Sequence, residues 1–412
     1  MKQINLTITA LSPLAIGTKK PGSVSEAGEY IPGTVIRGAI ASQIIRQSGL
    51  SKDSDFSTDG GDFKTLFLDD NSAIFHNAYP AKNLLPATAV SSKAKPGFYK
   101  EEDGEIKANG VFDSLIDRFL AEQYNHPYDP NCPLDNGRVE PFSGFYSREN
   151  NTYRSYSVNK RLLTRVGINR KRNVSQDEIL YSLEVIDEAQ GKEKLPVIYY
   201  SSILIESDDL AESLKGFIEV NKNNFRFGGS KSRGLGKVEI KAGLETITLE
   251  EKKAEVRSQI KQFNEKLNER KSLWSIFGDA EANDSKKQYF TINLQANAIL
   301  NENWLRTTVI TEEMLPSISD IESNKLKLET AYSSYGYVSG WNNAWGLMKD
   351  IELITNKGGL YLFSINNLDG CIEALTKLEL FGIGEKTNEG FGRVKICDPF
   401  HLKSRESLLE NN

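Results

Sequence analysis

The sequence predicts an α+β fold built as two similar domains. Two observations carry this. The order strand, helix, glycine-rich loop, strand occurs twice along the chain. The two loops also share a spelling: FGGSKSRGLGKVEI at 227–240 and FGIGEKTNEGFGRVKI at 381–396 both start Phe-Gly and end Gly, an apolar residue, Gly, a base and Val-x-Ile. Counted from Phe-Gly, the second loop is two residues longer. The length agrees, since 412 residues exceed one ordinary domain.

Residues 3–10 alternate apolar and polar, as a strand does. Pro32-Gly33 marks a turn, and Thr34 is placed to cap a helix reaching about Gln47. Val35, Ile36, Ala39, Ile40, Ile44 and Ile45 give that helix a broad apolar face, and Gly49 ends it. From about 50 to 175 turn residues abound and clean periods are few, which reads as long insertions on a simpler scaffold. Strand character returns at 179–186 and 197–206. Ser207 caps a helix to about Val220, with Asp208 and Asp209 at the positive end of its dipole. The first loop and a strand at 237–240 follow. Thr248 and Glu251 make a capping-box pair ahead of Val256, Ile260, Phe263 and Leu267 on one helical face. Residues 279–287 read as a linker. The second half then starts on the strand-like QYFTINLQANAIL and continues with a strand at 360–365, a helix at 369–380 and the second loop. Trp341 and Trp345, four apart, would share a helical face used for packing or a subunit interface. The predicted division is a first domain at 1–245 with insertions at about 50–175, a connecting helix and linker at 246–280, a second domain at 281–400 and a tail at 401–412.

Composition narrows the function. The net charge is −5, so a nucleic-acid role would have to rest on local basic patches. Three dispersed cysteines, Cys132, Cys371 and Cys397, argue against a disulfide framework and fit a reducing cytoplasm. No apolar run reaches the length of a membrane span, and the first residues lack a signal peptide's continuous apolar stretch. The expectation is a cytoplasmic protein without a membrane partner.

Neither glycine loop is a Walker A motif, and neither completes G-x-G-x-x-G. A mononucleotide site also needs the loop to run from a strand into a helix, and here a strand follows. Glycine permits sharp turns and close packing, which accounts for part of the pattern. Charge is the added fact. Gly228, Gly229, Gly234 and Gly236 are accompanied by Lys231, Arg233 and Lys237; Gly382, Gly384, Gly390 and Gly392 by Lys386 and Arg393. Free backbone N–H groups flanked by cations suit a polyphosphate chain.

At these loops the chain resembles the CRISPR-associated RAMP superfamily. Members are built from ferredoxin-like, RRM-like domains with antiparallel sheets, each with a glycine-rich loop between the last helix and the last strand. YIPGTVIRGAIASQII resembles the family's first helix start, with Arg37-Gly38 carrying the match. LFLDDNSAIFHNAYPA resembles a further family segment, but has Leu-Asp-Asp where glycine is common. LPATAVSSKAKPGF (85–98), GVFDSLIDRFL (110–120), TRVGINRKRNVSQDEILYSLEVI (164–186) and GYVSGWNNAWGLMKDIE (336–352) resemble, in this order, the large RAMP subunit of type III-D complexes. The resemblance implies a subunit that binds CRISPR RNA near its 5′ tag. It also implies contacts with other RAMP backbone subunits and with the large polymerase-like subunit, and indirect contact with target RNA. Relatives often carry a cysteine cluster of the zinc-binding kind after GVFD. Here Cys132 and His126 alone remain, too few for a four-ligand site, so neither a metal nor a cofactor is predicted.

The segment 154–172 holds Arg154, Lys160, Arg161, Arg165, Arg170, Lys171 and Arg172 with no Asp or Glu. It reads as a positive stripe for RNA, with Tyr153 and Tyr156 available to stack bases. The ordinary alternative is a solvated charged surface. Its match to a RAMP β-hairpin beside the guide favours RNA. Lys93, Lys95 and Lys100 around Pro96-Gly97 form a second candidate patch, equally readable as a plain lysine-rich loop.

Catalysis has little support. His76, His126 and His401 are scattered, and His76 sits in an apolar stretch as a structural residue would. Asp113 reads as a helix cap, and Asp177 lies in no assignable motif. The expectation is therefore a non-catalytic guide-RNA-binding subunit. One alternative is an endoribonuclease that processes guide precursor or cleaves target, with Asp113 and His76 as its candidates. The other is a mainly protein-binding scaffold.

Overall fold

The computed structural model describes residues 1–17, 24–49, 55–149, 152–169, 174–191, 193–278, 287–319, 325–342 and 346–409. In chain order its main elements are β1 (Lys2–Ala10), α1 (Gly33–Ser48), β2 (Ile74–Phe75), α2 (Leu115–Gln123), β3 (Lys160–Asn169), β4 (Val174–Ile186), β5 (Ile198–Ile205), α3 (Asp208–Val220), β6 (Val238–Thr246) and α4 (Leu249–Trp274). They continue with β7 (Gln288–Leu294), β8 (Lys327–Tyr332), β9 (Tyr335–Val338), β10 (Glu352–Thr355), β11 (Leu360–Ile365), α5 (Ile372–Phe381) and β12 (Val394–Ile396).

Two four-stranded antiparallel sheets organise the chain. The first has the order β6-β1-β5-β2 and the second β12-β7-β11-β8. Numbered by position within each half, both read fourth, first, third, second. That is the ferredoxin-like arrangement, and its presence twice makes the molecule α+β. Alternation in β1 turns Ile4, Leu6 and Ile8 into a buried core with Ile36 and Ile40 of α1 and Leu214 and Ile218 of α3. No helix among the described residues is long and apolar enough to cross a membrane.

The halves differ where the first helix should lie. Between β7 and β8 the only helical turns among the described residues are a 3-10 turn at Glu312–Met314 and the one-turn α-helix Pro316–Ser319. The second core instead takes in Leu115, Ile116, Phe119 and Leu120 of α2, from the first half's insertion, and Val256, Ile260, Phe263 and Leu267 of α4. Asp117 fastens the two helices, accepting from Arg270 Nε at 2.8 Å and Trp274 Nε1 at 2.9 Å. The insertion is thus also structural material for the second sheet.

Ser207 and Thr248 cap their helices as expected, accepting from the Leu210 and Glu251 amides. Gly49 ends α1 in the left-handed conformation. Thr34, however, is not a cap. α1 starts at Gly33, whose N–H donates to Asn77 Oδ1 at 2.8 Å. A side chain from beside β2 replaces the local cap, so local sequence could not show it. Trp341 lies in a two-residue strand paired with Met348 and not on a helix; Trp345 falls outside the described residues, as do 279–286 of the expected linker.

Candidate nucleic-acid interface

The two glycine loops are equivalent bond by bond, in a register that differs from the spelling. The Phe227 amide donates to the Gly236 carbonyl at 2.8 Å, and the Ile383 amide to the Gly392 carbonyl at 2.8 Å. Gly229 N–H reaches Ala15 O at 2.8 Å, where Glu385 N–H reaches Ile299 O at 2.9 Å. Gly236 N–H reaches Pro13 O at 2.9 Å, where Gly392 N–H reaches Asn297 O at 2.8 Å. Ser230 and Lys386 are both left-handed, and each leads into a single 3-10 turn closed by a left-handed glycine. Phe227 therefore matches Ile383, and the loops are equal in length. The apparent two extra residues arise because Phe381 ends α5 and Gly382 caps it.

Glycine is demanded most firmly at Gly236 and Gly392. Both have positive φ, and an added Cβ would meet the Phe227 carbonyl oxygen at 2.2 Å or the Ile383 carbonyl oxygen at 1.8 Å. Gly229 matches Glu385, so that position needs no glycine.

The surroundings differ. In the second loop, Asn77 Nδ2 donates to Gly390 O at 3.0 Å, Asn388 Nδ2 to Ser72 Oγ at 3.1 Å, and Tyr79 Oη to Gln295 O at 2.7 Å. Glu389 lies 3.7 Å from Arg37, whose guanidinium also donates to Phe67 O. Lys386 is paired with Glu352 at 2.6 Å. This loop is docked on β2 and the start of α1, and Arg37 and Lys386 make protein contacts here. Arg393, half-buried, lines a cleft between the halves.

The first loop is open at its turn: Lys231, Ser232, Arg233 and Gly234 are all exposed. Its base is held to the β3–β4 hairpin by Ala15, Val185 and Leu235, with Leu163 and Leu183 against them. The hairpin register places Arg165 opposite Tyr181. Arg165 Nη2 donates to Arg233 O at 3.5 Å, and Arg233 Nη1 donates to Tyr181 Oη, its guanidinium 5.9 Å from that ring's centroid. Although Lys231 is exposed, desolvation by the protein atoms around it lowers its ammonium pKa. Arg165, Tyr181, Lys231 and Arg233 thus form one cationic surface with an aromatic side chain in it. Sequence reading missed Tyr181, although strand alternation and the pairing of β3 with β4 carry the signal.

The rest of the stripe divides. Arg161 is paired with Asp187 at 3.1 Å and Glu188 at 3.2 Å, acids that follow the end of β4. Arg154 and Lys160 are exposed. Arg170, Lys171 and Arg172 lie outside the described residues. Tyr153 does not offer a free face: it stacks with Phe98 at 5.3 Å, and Lys403 Nζ sits 3.9 Å from its ring centroid. Tyr156 packs on Tyr79, Leu84 and Phe145. In the second patch Lys93 pairs with Glu140 at 2.8 Å and Lys100 with Glu102 at 2.6 Å, while Lys95 is exposed.

The catalytic candidates are largely buried. His76 bonds Ser202 Oγ at 2.8 Å, and burial, helped by the Arg393 charge, lowers its pKa. Asp113, expected as a helix cap, lies one residue before the N-cap Ser114: its Oδ1 accepts from the Leu115 amide at 2.7 Å, and Oδ2 lies 2.6 Å from His401 Nδ1. Both partners are buried. Cys132 is buried and His126 packs on Phe277; among the described residues no group of three or more His, Cys, Asp or Glu is placed to hold a metal.

A family model described as the RAMP superfamily matches residues 7–239. No curated protein matches the chain. Among solved structures, a chain of the type III-B Cmr-beta complex bound to cognate target RNA and AMPPnP is 12% identical, with 87% of this chain and 86% of that one covered and a TM-score of 0.35. A chain of Cmr-beta bound to cognate target RNA is 13% identical, covering 58% of this chain and 96% of that one, with a TM-score of 0.30. A chain of the apo Cmr-beta complex gives the same values.

Proposed function

This chain belongs to the RAMP superfamily, and from that premise we propose that it is a non-catalytic guide-RNA-binding subunit of a type III CRISPR ribonucleoprotein. It grips the RNA backbone near the 5′ tag and docks a backbone subunit and the large polymerase-like subunit. The observation that carries this reading is the meeting of Arg165, Tyr181, Lys231 and Arg233 around the open first loop. Cations there neutralise phosphates, the left-handed turn exposes backbone amides, and Tyr181 supplies a ring beside the path. The burial of the Asp113–His401 pair, with both ring nitrogens of His401 engaged, supports a role without acid–base chemistry at those residues.

The test is co-purification of guide RNA with the complex assembled around a variant in which Arg165, Lys231 and Arg233 are all changed to Glu. The expected result is assembled protein depleted of RNA. Unchanged RNA content would remove the first loop from the interface. Cleavage of repeat or complementary RNA that is lost in Asp113→Ala or His76→Ala would replace the reading with an endoribonuclease.

A further inference from the structure

The cleft between the two halves holds a second group of basic side chains, separate from the first loop. It has a volume of about 360 Å³, within the range of small-molecule sites. One wall comes from the region around β2, with His76, Tyr79 and Lys82; the facing wall comes from the second domain, with Gln295, Arg393 and Lys395.

Each acid of the cleft has a partner, a lysine for Glu379 and Glu255 and a neutral group for Glu251 and Glu245. Glu379 accepts from Lys252 Nζ at 2.8 Å and from the Ile396 amide at 2.9 Å. Glu255 also takes Lys252, at 2.8 Å. Glu251 accepts the Thr248 hydroxyl, and Glu245 accepts Asn5 Nδ2 at 2.9 Å. Three of these acids, Glu245, Glu251 and Glu255, belong to the end of β6 and the start of α4. Among the described residues, by contrast, Lys82, Arg393 and Lys395 have no carboxylate within ion-pair distance, and the Arg393 guanidinium has no hydrogen-bond partner. Burial works against the Arg393 charge, more than Tyr79 and Glu379 work for it. A half-buried guanidinium that no carboxylate pairs directly, in an open polar cleft, is poised to accept an anion from outside.

We propose that this cleft is a phosphate site, with Arg393 as the guanidinium fork and Lys395 and Lys82 as flanking charges. The ligand class is a phosphomonoester of nucleotide size, either a free nucleotide or the terminal phosphate of an RNA chain. His76 faces the same space with Nδ1 already bonded to Ser202, which leaves Nε2 to meet a ligand oxygen or hydroxyl. The proposal does not rest on the RNA grip at the first loop.

The experiment is a calorimetric titration of the full chain with inorganic phosphate, adenosine 5′-monophosphate and adenosine. Saturable binding of the first two and none of adenosine is expected. Arg393→Gln should weaken it about tenfold, the loss of one charge-assisted contact. The first-loop variant Lys231→Glu/Arg233→Glu should leave it unchanged, so failure here is read apart from failure of the RNA interface. Should Arg393→Gln not fold, Lys82→Gln/Lys395→Gln takes its place, with weakened binding expected. A short RNA oligomer with a 5′ phosphate, set beside its 5′-hydroxyl twin, separates the sources. Preference for the phosphorylated oligomer over the free nucleotide assigns the site to an RNA end, and the reverse assigns it to a nucleotide. Absence of saturable binding, or binding unchanged in the Arg393 or the double-lysine variant, overturns the proposal.

Discussion

The two glycine loops have one backbone and two fates. Each makes the same three amide bonds to its own domain and the same left-handed turn. Yet the turn of the first is Lys231-Ser232-Arg233, and that of the second is Thr387-Asn388-Glu389. The second docks on the neighbouring domain, through Asn77 and Ser72, with Glu389 beside Arg37. The first stays open and basic. The glycines therefore specify the shape of the turn, and the residues between them decide what the turn meets.

The sharpest way to break this contrast is to reverse the charges of the open loop alone. Lys231→Glu/Arg233→Glu with Arg165→Glu should lower RNA affinity about a thousandfold, with a shallower salt dependence, because three phosphate-facing cations become repulsive. Thermal stability should stay within about 0.5 kcal/mol, as expected of exposed sites. Next in size are matched alanines in the two turns. Gly234 and Gly390 are both left-handed, so each change carries a backbone cost of about 1–2 kcal/mol. A Cβ on Gly234 meets nothing within 4 Å, whereas one on Gly390 meets Asn77 Oδ1 at 2.7 Å and Phe75 O at 2.8 Å. Urea melts should show Gly390→Ala losing about 3 kcal/mol or more and Gly234→Ala only the backbone share. Equal losses would mean that the docked contact adds nothing. Asn77→Ala follows at about 2 kcal/mol, since it strands the buried Gly33 amide and Gly390 carbonyl.

Much of this was legible before any coordinates. Periodicity and caps located β1, α1, α3, α4 and β11, because those signals are local. The repeat was visible because both loops need glycine at the same closing positions. Its register was not, because Phe381-Gly382 imitates Phe227-Gly228 in spelling while ending a helix. The stripe was legible as charge but not as a surface: Asp187 and Glu188 reach Arg161 only once β3 and β4 are paired, and Tyr181 joins Arg165 for the same reason. Asn77, Glu389 and the His401–Asp113 pair escaped altogether, since their partners lie dozens to hundreds of residues away.

That last pair refines the contrast, because the docked loop is not the only tie between the first half's insertion and the second domain. His401 Nδ1 meets Asp113, and His401 Nε2 meets Asn293 of β7, all buried. Burial opposes the imidazolium charge, but Asp113 and Asp398 together outweigh it and His401 is raised above its ordinary value of 6.5. A group raised on folding stabilises fully below its unfolded pKa, and that share is lost as pH rises through the folded pKa. Stability should therefore fall on the alkaline side of 6.5 by a component that His401→Gln abolishes, measured as the difference between urea melts of the two proteins across that window. Gly390→Ala, which disturbs only the loop, should keep the component. If it vanishes there as well, the two ties act as one unit, and the docked loop is not a separate feature of the second domain.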